Sequence, residues 1–280
     1  MTAPILRRLA DLRALTTEWH RKGEVIGVVP TMGALHQGHL SLVEAAKAGA
    51  DRVIVTIFVN PKQFNNPEDL ANYPRTEHED AQKLGPFDVD AIYVPDPDEI
   101  YPQGFASTVS VTGLTNVMEG EFRPGHFDGV ATVVAKLFLQ TQADRAYFGE
   151  KDYQQLMVVR RMARDLDIPI EVVGCPTVRE PSGLAMSSRN LRLSPEGLEV
   201  AAHKHRIMIE LATSLKDGAA FDALAARAQT DLLAAGFTQV EYIQLRCAET
   251  LDPLTHADRP ARLFVAAWAD GVRLIDNIPV

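Results

Sequence analysis

The sequence predicts an α/β chain: a doubly wound parallel sheet over residues 1–176, followed by a smaller α+β domain over residues 177–280. Three observations predict it. Short strand-like runs at residues 25–29, 52–59, 90–94, 145–148 and 170–174, the first two almost wholly apolar, alternate with helical patterns, as in parallel sheets covered on both faces. Two of the strand-to-helix passages carry glycine and polar side chains, at the place where open α/β sheets bind ligands. After Ser194 the pattern changes to two long helices and then strands, the order of an α+β unit.

Residues 5–22 place Leu9, Leu12, Leu15 and Trp19 at helical spacing and end in Arg21, Lys22 and a glycine stop. The run 25–29 reads as an interior strand closed by Pro30, and a helix restarts at Leu40, Leu42, Val43 and Ala46 and closes near Gly49. With the strand 52–59 this makes a βαβ unit, whose crossover is right-handed in nearly all proteins. A long polar loop fills residues 60–76, either a surface insertion or, as loops of this length in compact domains usually are, a functional element. Asn60 and Gln63 lie just past the strand end, where amides can bond a substrate's hydroxyl or carboxylate.

Thr76 with Glu79 reads as a capping box for a helix running to Gly85. A strand-like piece at 107–112 leads to a glycine-rich stretch, 119–129, read as a mobile loop before a helix over 130–140. There Arg123 and His126 either close over an anion or are ordinary loop residues. The strand 145–148 runs into Gly149, Glu150, Lys151 and Asp152, with the following helix extending to Asp167. Ser194-Pro195-Glu196 caps a helix to Lys216, a second spans 221–235, and strands follow at 240–246 and 261–268. Asp270-Gly271 turns the chain into a last strand at 272–276.

With 280 residues and 46% hydrophobic content, the chain has enough apolar surface for one large or two ordinary domains. No apolar run approaches the ~18 residues of a membrane span, and the first residues lack the apolar region of a signal peptide, so a soluble, cytoplasmic protein is expected. Cys175 and Cys247 have no metal-like spacing, so neither a disulfide framework nor a structural zinc site is expected. The net charge of −9, from 28 basic and 37 acidic residues, comes without a Lys/Arg run, which argues against a nucleic-acid partner and for a small-molecule substrate.

Three clusters carry chemistry. His36 and His39 stand three residues apart where the first helix begins, so both imidazoles face one way at a positive helix end, or they are surface or core histidines. Lys151 in a first helical turn is disfavoured by the dipole unless it meets an anion, or else pairs with Glu150 or Asp152. Gln155 lies four residues on, on the same face of that helix. Ser187, Ser188 and Arg189 put two hydroxyls beside a guanidinium, a combination suited to phosphate.

The His-x-Gly-His spacing at a strand-to-helix turn resembles the nucleotidylyltransferase and class I aminoacyl-tRNA synthetase superfamily. The blocks 30–39, 58–64, 149–155 and 186–190, in this order, resemble the pantothenate synthetase family over nearly the whole chain. That resemblance implies a Rossmann-like domain, with the smaller domain closing over the ATP site. It also implies ATP-dependent joining of pantoate to β-alanine through a pantoyl adenylate, releasing pyrophosphate and AMP. ATP is then expected on Met32, Gly33, Ala34, Leu35, His36, Gln37, Gly38, His39, Gly149, Glu150, Lys151, Asp152, Val178, Met186, Ser187, Ser188 and Arg189. Pantoate is expected on Gln63 and Gln155, and β-alanine on Gln63. His39 is expected as proton donor, with His36, Lys151, Ser188 and Arg189 as the other catalytic groups. The tRNA synthetases carry a second lysine in the later motif where this chain has Ser188. Mg²⁺ is expected to arrive on the ATP phosphates, with no metal cage of protein ligands, and a homodimer is expected. The alternatives are a transferase joining a nucleotide to a phosphorylated substrate, and a non-catalytic adenylate-binding regulator.

Overall fold

The structure, a computed structural model, describes residues 3–65 and 67–280; Asn66, within the loop expected at 60–76, lies outside the described residues. The chain divides into two compact units, Met1–Glu150 with Gln154–Pro176, and Lys151–Tyr153 with Thr177–Val280. The boundary expected at 176/177 did not anticipate that Lys151–Tyr153 group with the second unit. Asn277 Nδ2 donates to the Lys151 carbonyl (2.8 Å) and the Tyr153 hydroxyl to that of Ala248 (3.0 Å), which ties the short segment there.

In the first unit, strands β1 (Ile5–Leu6), β2 (Ile26–Thr31), β3 (Arg52–Ile57), β4 (Ala91–Tyr93), β5 (Arg145–Gly149) and β6 (Glu171–Cys175) form one parallel sheet in the order β1-β4-β3-β2-β5-β6. Helices α1 (Leu9–Arg21), α2 (Gln37–Gly49), α3 (Glu77–Leu84), α4 (His126–Thr141) and α5 (Tyr153–Asp165) alternate with the strands. Val28, Val29, Val53, Ile54 and Val55 are wholly buried, which is why their sequence reads as continuous apolar runs rather than alternating ones. The two-residue β1, which pairs Ile5 with Ile92, was too short to separate from the helix expected over residues 5–22.

Pro30 does not close β2. It lies inside the strand, opposite Thr56, and costs no ladder bond with β5 because that pairing stops at Val28. The strand-like stretch 107–112 forms no strand; Val109 N instead donates to Thr132 Oγ1 (2.9 Å) on α4. The glycine-rich stretch holds a helical turn, Glu119–Phe122, and α4 begins at His126, earlier than expected.

Three aspartates fasten the amino ends of central strands. Asp51 accepts from Val25 N (2.8 Å), Asp144 from Ile26 N (2.7 Å) and Asp90 from Val53 N (2.8 Å). These bonds satisfy backbone amides at that edge. The carboxyl edge, where the chain leaves β2, β3 and β5, is left to loops. Because the connections run from β2 to β3 on one side and into β5 on the other, the switch point of the sheet lies between β2 and β5.

In the second unit, β7 (Gln239–Cys247), β8 (Ala261–Ala269) and β9 (Val272–Pro279) form an antiparallel sheet packed by α6 (Pro195–Lys216) and α7 (Phe221–Ala234). Ser194 Oγ accepts from Gly197 N (3.0 Å), as an N-cap before proline should. Asp270 and Gly271 both take positive φ, the requirement of a tight hairpin.

Candidate functional site

The end of β2 turns through Gly33 (φ +84°) and Ala34 (φ +51°) before α2, two successive left-handed residues of which only one is glycine. A side chain from α3 holds this turn. The buried carboxylate of Asp80 accepts from Ala34 N (2.9 Å), Leu35 N (2.7 Å) and Thr76 Oγ1 (3.0 Å). Lys83, one turn on, donates to the Leu35 carbonyl (2.9 Å). The capping box expected at Thr76 and Glu79 is therefore absent: the Thr76 hydroxyl donates to Asp80 and makes no cap bond. Asp80 is the main group that sequence reading missed. Its only signal was an Asp–Lys pair at i, i+3 on a short acidic helix, which ordinarily marks a solvated face.

His36 is the N-cap of α2, with its ring centroid 4.1 Å from that of His39. His36 Nδ1 accepts from Gly38 N (3.1 Å), and His39 Nδ1 from His36 N at a longer 3.4 Å. With Nδ1 accepting, each neutral imidazole carries its proton on Nε2. This changes the expected anion site. The rings take amides at the helix start, so the site presents imidazoles there as well as backbone N–H groups.

At the end of β3, Asn60 is 1% exposed and fully engaged. Its Nδ2 donates to Gln63 Oε1 (3.0 Å) and the Gly129 carbonyl (3.0 Å), and its Oδ1 accepts from Tyr101 Oη (2.7 Å) and Lys62 N (3.3 Å). Asn60 thus orients Gln63. Burial pushes the Tyr101 phenol above its ordinary range, which keeps it a donor to Asn60. The Gln63 amide is turned so that Nε2 points at Met32 Sδ (3.1 Å), which sets the pantoate candidate beside the nucleotide candidate Met32.

Arg123 and His126 serve the same loop. The guanidinium only donates, so its contact with His126 Nε2 (3.2 Å) makes Nδ1 the protonated nitrogen, and Nδ1–H donates to the Gln63 carbonyl (2.8 Å). The carboxyl ends of the neighbouring strands β3, β2 and β5 therefore deliver, in that order, Asn60–Gln63, Met32–His39, and Gly149 with Glu150. Gln155 follows in the first turn of α5.

The remaining candidates belong to the second unit. Lys151 lies in a 3₁₀ turn, Glu150–Asp152, and not in the first turn of the helix, which starts at Tyr153. The helical-face relation expected for Lys151 and Gln155 therefore does not apply. Lys151 has a carboxylate neighbour, Asp152, at 3.5 Å. Val178 and Met186 are joined across a small hairpin by Met186 N to Val178 O (3.0 Å), and Ser187 caps a 3₁₀ turn, Ser188–Arg192, accepting from Arg189 N (3.2 Å). A small pocket of about 10 Å³ is lined by Lys151, Ser187, Arg189, Asn190, Lys204 and Arg273, among others. The geometry brings Lys151 together with Ser187 and Arg189, and adds Lys204, which no sequence motif singled out.

Known proteins share this sequence and fold over nearly their whole length. The model of the family described as Pantoate-beta-alanine ligase matches residues 4–279. A curated pantothenate synthetase of Ruegeria pomeroyi is 73% identical, covering 100% of this chain and 98% of its own. One of Ruegeria sp. (strain TM1040) is 71% identical over the full length of both. The crystal structure of pantothenate synthetase from Thermus thermophilus superimposes with a TM-score of 0.92 at 46% identity, covering 98% of each chain. The pantoate-beta-alanine ligase of Francisella tularensis, described as complexed with beta-gamma ATP and beta-alanine, has a TM-score of 0.83 at 37% identity, covering 99% of this chain and 97% of that one.

Proposed function

The chain belongs to the pantoate-beta-alanine ligase family, and from that membership we infer how its residues share the ATP-dependent condensation of pantoate with β-alanine. It is a carbon–nitrogen ligase. Our reading is that the reaction has two steps. A pantoate carboxylate oxygen attacks the α-phosphorus of ATP, the bond to the β-phosphate oxygen breaks, and pyrophosphate leaves with the electron pair. The amine of β-alanine then attacks the acyl carbon of the adenylate, AMP leaves with its phosphate oxygen, and the amine loses a proton.

The observation that carries this reading is the pair of imidazoles, 4.1 Å apart and fixed through Nδ1 by backbone bonds, at the carboxyl end of β2 beside an oriented Gln63. We assign ATP to Met32–His39, Gly149–Asp152, Val178 and Met186–Arg189. His39 donates to phosphate oxygen as charge builds on the leaving group. His36, Lys151, Ser188 and Arg189 neutralise that charge, and preorganised donors of this kind commonly supply the largest catalytic term. Gln63, with the Nε2 side of its amide turned away from Asn60, donates to pantoate and borders the β-alanine position; Gln155 supplies the second amide for pantoate. Holding the carboxylate in line with the α-phosphorus is itself worth several powers of ten.

Among the described residues no three His, Cys, Asp or Glu side chains form a cluster suited to a metal. In our reading Mg²⁺ comes on the phosphates of MgATP, where it spreads their charge. We also propose a homodimer in the cytoplasm, on the strength of the family; no helix among the described residues is long and apolar enough to cross a membrane. The deciding experiment is ATP:pyrophosphate exchange. Exchange that requires pantoate, with AMP formed only when β-alanine is added, is the expected result. Exchange without pantoate, a dinucleotide-like product, or ATP binding without turnover would each displace this assignment.

A further inference from the structure

Lys204 is the most unusual charge in the second unit. It lies on α6 with 1% of its surface exposed, and it lines the same pocket as Lys151, Ser187 and Arg189. Among the described residues its ammonium has neither a hydrogen bond nor an ion pair. The charges around it do not compensate it. Asp276 on β9 is the acidic group that attracts it, but that carboxylate is already held by Arg179 through two bonds of 2.7 and 2.9 Å. Arg273, also on β9, is held by Glu241 at 2.6 Å. Lys151 from the 3₁₀ turn has Asp152 at 3.5 Å, and Arg189 from the next 3₁₀ turn lines the pocket. His205, the neighbour of Lys204 on α6, adds no anion. A buried cation facing this surplus is costly, and such sites are where anionic ligands bind.

We propose that Lys204 is a further anion-binding residue of the ATP phosphate site, placing a buried positive charge under the oxygens that leave as pyrophosphate. The proposal rests on the ATP assignment made above and extends it to a residue outside the four sequence blocks. Ser188 offers a hydroxyl to those oxygens and no charge; Lys204 supplies the charge from below. The pocket has room for about one water, so the phosphate lies outside it and Lys204 acts on it through a single water or through its charge alone.

Burial holds the free ammonium down to about 8, with Lys151, Arg179 and Arg273 adding to the shift and Asp276 opposing it. A phosphate at the mouth raises it again, so ATP binding at alkaline pH draws a proton onto the protein.

The test uses the full chain and its Lys204→Met variant, titrated with MgATP by calorimetry at pH 8.5 in two buffers of different ionisation enthalpy. At that pH the ATP phosphates are fully ionised, so proton uptake belongs to the protein. The unsubstituted chain is expected to take up about half a proton or more per nucleotide. Lys204→Met is expected to lose that uptake and to bind MgATP about 10-fold or more weakly. Its melting temperature without ligand should be equal or higher, whereas a merely structural lysine would lower it. Equal uptake and affinity in the two proteins overturn the proposal. If the variant does not fold, absence of proton uptake by the unsubstituted chain from pH 7.5 to 9 overturns it alone. Lys204-dependent uptake without pantoate-dependent exchange would support the site and remove the ligase assignment. Normal exchange with no effect of Lys204 would do the reverse, and no MgATP binding at all would remove both.

Discussion

Asp80→Asn isolates what holds the histidine turn in place. Asparagine keeps the size of the side chain, but it brings one acceptor oxygen and one NH₂ donor to a position that accepts at both oxygens. If its oxygen stays on Leu35 N, now 2.7 Å from Oδ1, its NH₂ faces Ala34 N–H, now 2.9 Å from Oδ2. Thr76 can rotate its hydroxyl and accept, so one amide is orphaned. An orphaned buried donor costs about 1–3 kcal/mol, and the retained bonds lose their charge assistance, about another 1 kcal/mol. Ala34 sits at φ +51°, a conformation that itself costs about 1–2 kcal/mol and that the lost bond had enforced. The turn should therefore open locally with a penalty of roughly 3 kcal/mol, and a displacement of even 1 Å at His36 and His39 costs on the order of 10²-fold in rate.

Amide hydrogen exchange is the direct assay. Protection of the Ala34 and Leu35 amides should fall by about 10²-fold, while amides of β8 in the second unit stay as they were. Pantoate-dependent pyrophosphate exchange should fall by a similar factor. Unchanged protection at Ala34 and Leu35 together with lost activity would refute the reasoning, because Asp80 would then act by some route other than the turn.

Four further outcomes are expected. His39→Ala should slow single-turnover adenylate formation by about 10²-fold or more while leaving the fold intact, and a near-normal rate would dismiss His39 as the donor. Gln63→Glu keeps the bond from Asn60 and turns a carboxylate toward pantoate; at ~4 Å and an effective dielectric near ~20 the repulsion is roughly 4 kcal/mol, so the pantoate KM should rise on the order of 10³-fold and ease toward pH 5. A defect confined to ATP would place Gln63 elsewhere. A Cβ on Gly129 would overlap the Lys62 carbonyl and lie 2.8 Å from Gln63 N, so Gly129→Ala should raise the pantoate KM about 10-fold or more by moving that loop; kinetics unchanged within twofold would show that the loop yields. Finally, Lys204 is held down to about 8 in the folded chain against roughly 10.4 unfolded, so between these values the unfolded chain binds more protons and this group's contribution makes the ligand-free protein more stable as pH rises. Denaturant titrations at pH 7.5 and 9.5 should show the gap between Lys204→Met and the unsubstituted chain closing with pH; parallel curves would contradict it.

What the sequence by itself determined was local. The wholly buried strands β2 and β3 were legible because burial on both faces demands an unbroken apolar run, and their carboxyl ends follow from chain direction alone. The Asp270-Gly271 hairpin and the Ser194-Pro195 cap were legible because each depends on a few adjacent residues. The candidate residues His36, His39, Gln63 and Lys151 stood out for the same reason, a chemical type at a particular turn. Only the tertiary structure decided how those residues are held. Asp80 reaches Ala34 and Leu35 across more than forty positions, Gly129 meets Asn60 across 69, and Arg179 meets Asp276 across 97. No short-range periodicity encodes such pairs. Pro30 shows the same limit from the other side: proline ends a strand only where its missing N–H would have been used, and whether β5 reaches that far is a fact about a neighbour 115 residues away in the chain, at Arg145. Lys204 did not stand out in the sequence, because a lysine's burial is set by what packs over it and not by the residues beside it.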